Sequence, residues 1–187
     1  TTTVAAGILQ FAAPEALYDG VTTSWNATNL IVQAGATAAF NIGGGGEFDA
    51  DDITLLNNQG TGSGGFMSGS FLGLDTTNAG GSFTYGSVLD DAGFSAANSR
   101  GLVKLGSGTL ELTQSNTYTG RTLLHGGTLA IAGEANLGAD PLSPIADQLT
   151  FRGGTLATTA SFAIDDGNRG ITVSGSGATV SGSTVNI

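Results

Sequence analysis

The stretch from Gly101 to Ile131 reads GLVKLGSGTLELTQSNTYTGRTLLHGGTLAI, and its reading decides the fold. Within it, Thr109-Leu110-Glu111-Leu112-Thr113 alternates apolar and polar residues, the period of a strand with one buried face. Thr128-Leu129-Ala130-Ile131 restates the opening of that strand further along the motif. Leu102–Leu105 precedes the first run and Thr122–Leu124 the second, so a strand, a corner and a strand occur twice. Gly106, Gly108, Gly120, Gly126 and Gly127 fall at the corners, where the chain turns sharply or passes close to another backbone. The spacing of the two copies predicts coils of about 20 residues. In them Leu102, Leu105, Leu110, Leu112, Leu123, Leu129 and Ile131 stack inward along a common axis. Asn116 and Asn136 are expected at turns as rungs of internal amide ladders. Tyr118 is expected to pack its ring while its hydroxyl reaches solvent.

The same vocabulary extends outward. Short strand signals bounded by Gly, Asn or Asp occur at Leu30–Val32, Ala38–Ile42, Ile53–Leu56, Leu149–Phe151, Thr155–Ala157, Ile171–Val173 and Ala178–Val180. Helical periodicity is confined to one turn at Pro14–Tyr18, ended by Gly20. Two internal likenesses point to repetition. TTTVAAGILQFAAPEALYDG (1–20) aligns without a gap on RTLLHGGTLAIAGEANLGAD (121–140), an offset of 120. NLIVQAGAT (29–37) resembles GITVSGSGAT (170–179), at an offset of 141 to 142. The second copy has therefore gained a segment, LTFRGGTLATTASFAI within it, close to the length of one coil. The organisation expected is one continuous solenoid over 1–187, with modules 1–120 and 121–187, the second incomplete and carrying one extra coil near 140–165. Coils that touch only their neighbours tolerate such a gain, whereas a sandwich core does not.

Composition sets the outer bounds. The chain has 187 residues, 32 of them Gly and only 3 Pro, with 40% hydrophobic residues. Gly without a three-residue period excludes collagen, and the ordered apolar runs argue against a disordered chain. Acidic residues number 15 and basic ones 5, for a formal net charge of −10. Lys104 is the only lysine, and Arg100, Arg121, Arg152 and Arg169 are scattered. A nucleic-acid partner, which needs cations to displace counterions, is not expected. Direct membrane insertion is not expected either, because no run approaches the roughly 20 apolar residues of a spanning helix. With no cysteine, disulfide and thiol chemistry are absent. The chain begins at Thr1 without an initiator Met or signal peptide, as expected of a mature product or an excerpt.

The motif at 101–131 closely resembles the autotransporter-associated β-strand repeat. Gly101, Leu102, Lys104, Gly106, Gly108, Thr109, Leu110, Leu112, Asn116, Thr117, Tyr118, Gly120, Thr122, Gly127 and Leu129 match that family's pattern. Arg121 stands where the family usually has a second glycine. The resemblance implies an all-β, right-handed parallel β-helix on a bacterial cell surface or outside the cell. It also implies a stalk-like role, with any specific activity elsewhere.

Candidate sites are few. His125 is the only histidine, and an exposed strand or corner position is expected for it rather than a general base. Asp49, Asp51 and Asp52 are weak calcium candidates, because GGGGEFDADD (43–52) places Phe48 where a calcium nonapeptide needs Asp. Acidic pairs at Asp90–Asp91 and Asp165–Asp166 read as solvated loops. Trp25 with Asn26 and Asn29 suits either a sugar-binding patch or a plug at the end of a coil, and the plug is preferred. A β-helical polysaccharide-degrading enzyme needs paired carboxylates or clustered cations, and neither stands out. No enzyme activity and no cofactor are expected. The expected partners are further copies or neighbouring modules meeting end to end, and then cell-surface or matrix polysaccharide.

Overall fold

The computed structural model describes residues 1–60, 63–91, 99–175 and 177–186. Two strand pairs open the chain: β1 (Thr2–Val4) with β2 (Ile8–Phe11), then β3 (Leu30–Val32) with β4 (Thr37–Asn41). Next come β5 (Gly65–Phe66), β6 (Phe71–Asp75) and β7 (Ser82–Tyr85). The motif supplies β8 (Gly101–Leu105), β9 (Thr109–Leu112), β10 (Thr122–Leu124) and β11 (Thr128–Ile131). Last are β12 (Ile145–Phe151), β13 (Thr155–Thr158), β14 (Phe162–Ala163), β15 (Arg169–Val173), β16 (Thr179–Gly182) and β17 (Val185–Asn186). Strands stack on their counterparts in the next coil, not on their neighbours in sequence. Seven form one sheet in the order β15-β12-β10-β8-β6-β4-β2, five a second as β16-β13-β11-β9-β7, and β1-β3-β5 and β14-β17 two smaller ones. All these strand pairs are parallel. The fold is a parallel β-helix.

Coil length departs from the even spacing expected. Leu102 stacks on Thr122 and Leu149 on Ile171, close to the expected coil, but Ala38 stacks on Leu72 across a coil more than half as long again. The surplus of the long coil lies between its two strands of the seven-stranded sheet, where added chain leaves those stacked strands undisturbed.

Strand register fixes which residues face the core. One inward row runs Ala38, Leu72, Leu102, Thr122, Leu149, and the next Phe40, Leu74, Lys104, Leu124, Phe151. On the five-stranded sheet Leu110, Leu129 and Leu156 form a third row, with Leu112 stacked on Ile131 beside it. Leu102, Leu110, Leu112, Leu129 and Ile131 all belong to the core, as expected. Leu105 and Leu123 do not. The two-residue period of the strand turns both outward, with Leu123 buried on the outer face beside Val103 and Leu105 only half-buried. Lys104 takes the inward place expected for Leu105.

Ile53–Leu56, expected as a strand, lies in a helix, α1 (Ala50–Asn57). Asp49 accepts from the amides of Asp51 and Asp52, and Asp52 accepts from the amide of Asp49. This capping box starts the helix, and Ile53 and Leu56 bury one of its faces. Pro14–Ala16 forms a 3-10 turn, followed by two more at Tyr18–Gly20 and Thr22–Ser24. In chain order α1 and these turns stand where later coils place a strand of the five-stranded sheet. The Thr54 and Tyr85 hydroxyls meet at 3.0 Å, so α1 lies against β7, the edge strand of that sheet.

The two sequence likenesses prove to be local. Residues 1–20 and 121–140 share strand, strand and 3-10 turn. Yet β1 and β2 belong to the three- and seven-stranded sheets, whereas β10 and β11 belong to the seven- and five-stranded ones. The second likeness slips the same way, setting β3 and β4 against β15 and β16. The similar segments are therefore turned about the axis by one side of the coil. The stretch 140–165 holds β12, β13 and β14.

Candidate functional site

The motif residues act chiefly between coils. The Asn116 side chain accepts from the Leu89 amide at 2.9 Å and donates to the Asn136 carbonyl at 2.7 Å, tying three successive coils. Asn136 donates to the Gln114 carbonyl at 2.7 Å and accepts from the amides of Ala132 and Gly133. The expected amide ladder is thus a set of side-chain bonds to backbone, because corner amides and carbonyls need partners that no sheet supplies. Tyr118 is buried, and its hydroxyl meets the Thr122 hydroxyl at 2.6 Å instead of reaching solvent. Burial pushes its phenol up to about 12, with the Thr122 bond acting in the opposite direction. Gly120 lies so close to the preceding coil that a Cβ there would collide with the Arg100 carbonyl.

Three of the five basic side chains are interior, a placement that composition alone does not reveal. Arg100 lies over the Phe66 ring and donates to the Asn57 side chain and the Asp90 carbonyl. Its guanidinium is lowered to about 10, chiefly by burial. Arg169 donates to Glu134 at 2.8 Å, to Asp140 at 3.1 Å, and to the carbonyls of Leu137, Gly138 and Ala139. Lys104 runs its stem through the core row and donates to the carbonyls of Leu105, Gly106 and Gly126. Gly127 turns there with φ +60°, and a Cβ on it would fall 2.8 Å from the Lys104 Nζ.

Burial lowers the Lys104 ammonium to about 8, with Asp75 opposing. Between that value and 10.5 the unfolded chain still holds a proton that the folded chain has lost. Lys104 therefore makes stability rise with pH across this window. Urea unfolding at the two ends of the window is expected to show a gain on the order of 2 kcal/mol that Lys104→Met lacks. An equal gain in both proteins would remove Lys104 as its source.

The acidic candidates are already engaged. Asp49 and Asp52, two of the three weak calcium candidates, cap α1, and Asp51 lies in its first turn. Asp91 accepts from the amide and hydroxyl of Thr119, and Asp166 from the Asn168 amide. Among the described residues no three His, Cys, Asp or Glu side chains are grouped to hold a metal. Trp25 is 1% exposed and donates to the Leu17 carbonyl at 2.6 Å. It packs against Phe48, which meets Phe40 edge-on, so Trp25 is a core plug rather than a sugar platform. Asn26 holds its own turn, accepting from the amides of Thr28 and Asn29.

The remaining cations meet on one surface. A groove of about 450 Å³ crosses the outer face of the seven-stranded sheet, from Ile8 on β2 to Thr172 on β15. Arg121, Arg152 and His125 line it, with Asp147 paired to Arg121 at 2.9 Å. His125 is half-buried rather than exposed, and its Nε2 has no hydrogen-bond partner. Burial first, and then Arg152, lower its pKa. A second groove of about 260 Å³ shares Phe71 and Arg121 with the first and reaches Ser70 and Gln148.

Comparison with known proteins agrees with this architecture. Residues 102–131 match the family model of the passenger-associated-transport-repeat. Over 127 residues the chain is 36% identical to the adhesin BmaC autotransporter of Brucella suis biovar 1 (strain 1330), covering 61% of this chain. The chain spans only 4% of that protein's length. No solved structure matches it significantly. Residues 102–131 thus carry a passenger-associated transport repeat, and the chain is similar to one part of an autotransporter adhesin.

Proposed function

We propose that this chain is a rigid, non-catalytic segment of an adhesive passenger, acting as a stalk at the cell surface. The observation that carries the reading is the unbroken seven-stranded sheet over a continuous apolar core, which joins every coil from β2 to β15. Its interior cations and corner asparagines serve the stacking of coils, a structural use of residues that an enzyme would present in a cleft. A passenger operates at the cell surface or outside the cell.

A second reading, end-to-end assembly into a filament, is favoured by one feature. At the C-terminal end Leu149, Phe151, Ile171, Val173 and Val180 line an apolar opening of about 130 Å³, and Val173 is 56% exposed. Electron microscopy of the purified chain and adherence of coated beads to cells test both readings. Discrete short rods with adherence above uncoated beads fit the stalk, and long fibres fit the filament. Beads that adhere no better than uncoated ones would remove the adhesive part.

A further inference from the structure

We propose that the groove on the outer face of the seven-stranded sheet binds an extended anionic glycan, running along the helix axis. The inference deepens the adhesive reading and rests on it.

Charge is the first argument. The chain carries a formal net charge of −10, and three of its five Lys and Arg side chains lie in the interior. The two exposed ones, Arg121 and Arg152, both line this groove, together with the only histidine. Strand register explains the convergence. His125, Arg152 and Ser174 follow one another along an outward row, the Arg152 amide bonding the Leu124 carbonyl and the Ser174 amide the Phe151 carbonyl. Arg121 precedes Thr122 on β10, across the floor from that row. Asp147 neutralises Arg121 in part, but that pair is half-exposed and open to exchange for a ligand anion.

Polar groups lie beneath the floor as well. His125 Nε2 at the first groove, and Ser70 Oγ and Gln148 Oε1 at the second, have no hydrogen-bond partner but are closed to solvent, so the exposed arginines rather than these atoms make the ligand contacts.

Shape decides the ligand class. The groove runs from β2 to β15, lined from six of the seven strands, about 30 Å at roughly 4.8 Å per strand, and an extended pyranose chain advances by a similar step per sugar. Its walls hold Thr37, Thr150, Thr172 and Ser174 and the ring of Phe71; the hydroxyls of Thr150, Thr172 and Ser174 donate to backbone carbonyls and keep lone pairs to accept from a sugar hydroxyl. A peptide binding by strand addition needs an unpaired edge, and the floor strands between β2 and β15 are paired on both sides.

The test uses the whole chain with four labelled probes: oligogalacturonate, heparin-derived oligosaccharide, neutral dextran and poly-glutamate. Anisotropy at low salt is expected to show binding of one or both anionic glycans, weakening as salt rises. Binding of the uronate alone, or of the sulfated glycan alone, identifies the charged group that is read. The double variant Arg121→Gln, Arg152→Gln is expected to lose roughly tenfold or more in affinity, with unchanged circular dichroism. Thr150→Val with Thr172→Val gives an independent, uncharged test of the floor and is expected to weaken binding too. No binding by the unmodified chain would overturn the proposal. Equal binding of dextran would as well, and so would poly-glutamate binding as tightly as the glycans, or affinity unchanged in both double variants. Failure of the groove leaves the adherence of coated beads in place, whereas failure of the adhesive reading abolishes it.

Discussion

Replacing Arg169 by Met is expected to lower folding stability by about 3–5 kcal/mol. The Arg169 side chain is fully enclosed and makes five bonds, two to carboxylates and three to the carbonyls of Leu137, Gly138 and Ala139. Met fills a similar volume but leaves those carbonyls unpartnered at a corner that no sheet supports. It also strands the Glu134 carboxylate, only 12% exposed, beside a neutral side chain. The bond to Asp140 contributes little, because that carboxylate is 68% exposed. Lysine cannot rescue the site, since one ammonium cannot span donors spread across a planar fork. Urea unfolding of the wild type, Arg169→Met and Arg169→Lys measures the loss. A change under about 1 kcal/mol in Arg169→Met would mean that the corner is held by something else.

Leu129→Ala is expected to cost about 2–5 kcal/mol, the range for a buried leucine whose cavity cannot collapse. Leu129 is 0% exposed and lies between Leu110 and Leu156, in a row fixed by the ladders on both sides. The parallel backbone bonds hold those neighbours at strand spacing, so they cannot close on the gap. Leu105→Ala serves as the contrast. Its side chain is turned outward and half-buried, and it is expected to cost less than half as much. Equal losses at the two positions would contradict the register described for β8 and β11.

These two positions also mark what the sequence makes legible. Leu110, Leu112, Leu129 and Ile131 are readable because strand period and burial reinforce one another in a clean alternation. Leu102–Leu105 misleads, since Leu-Val-Lys-Leu offers three apolar residues and hides its phase, and the inward slot goes to Lys104. A long apolar stem makes this possible, provided that carbonyls receive the ammonium. Arg100 and Arg169 are invisible for a related reason. Counting charges treats each as surface, whereas corners crowded with carbonyls draw cations inward. The helix α1 left a signal in Asp49 and Asp52, a capping pair before an apolar run, but Ile-Thr-Leu-Leu also satisfies a strand. Coil length could be read only where the motif is uninterrupted. The groove was out of reach, because Arg121, His125 and Arg152 become neighbours only once β10 and β12 are stacked.

The parallel stacking has a mechanical consequence. Hydrogen bonds between coils run along the axis, so a pull along that axis loads them end-on and opens them one coil at a time. Each coil so released adds slack of roughly 70 to 120 Å at full extension, the short coils least and the long ones most. Side chains that span coils, Asn116 and Arg169 among them, add bonds that must break at their own steps. A tether built this way yields in stages under flow, lengthening before it lets go.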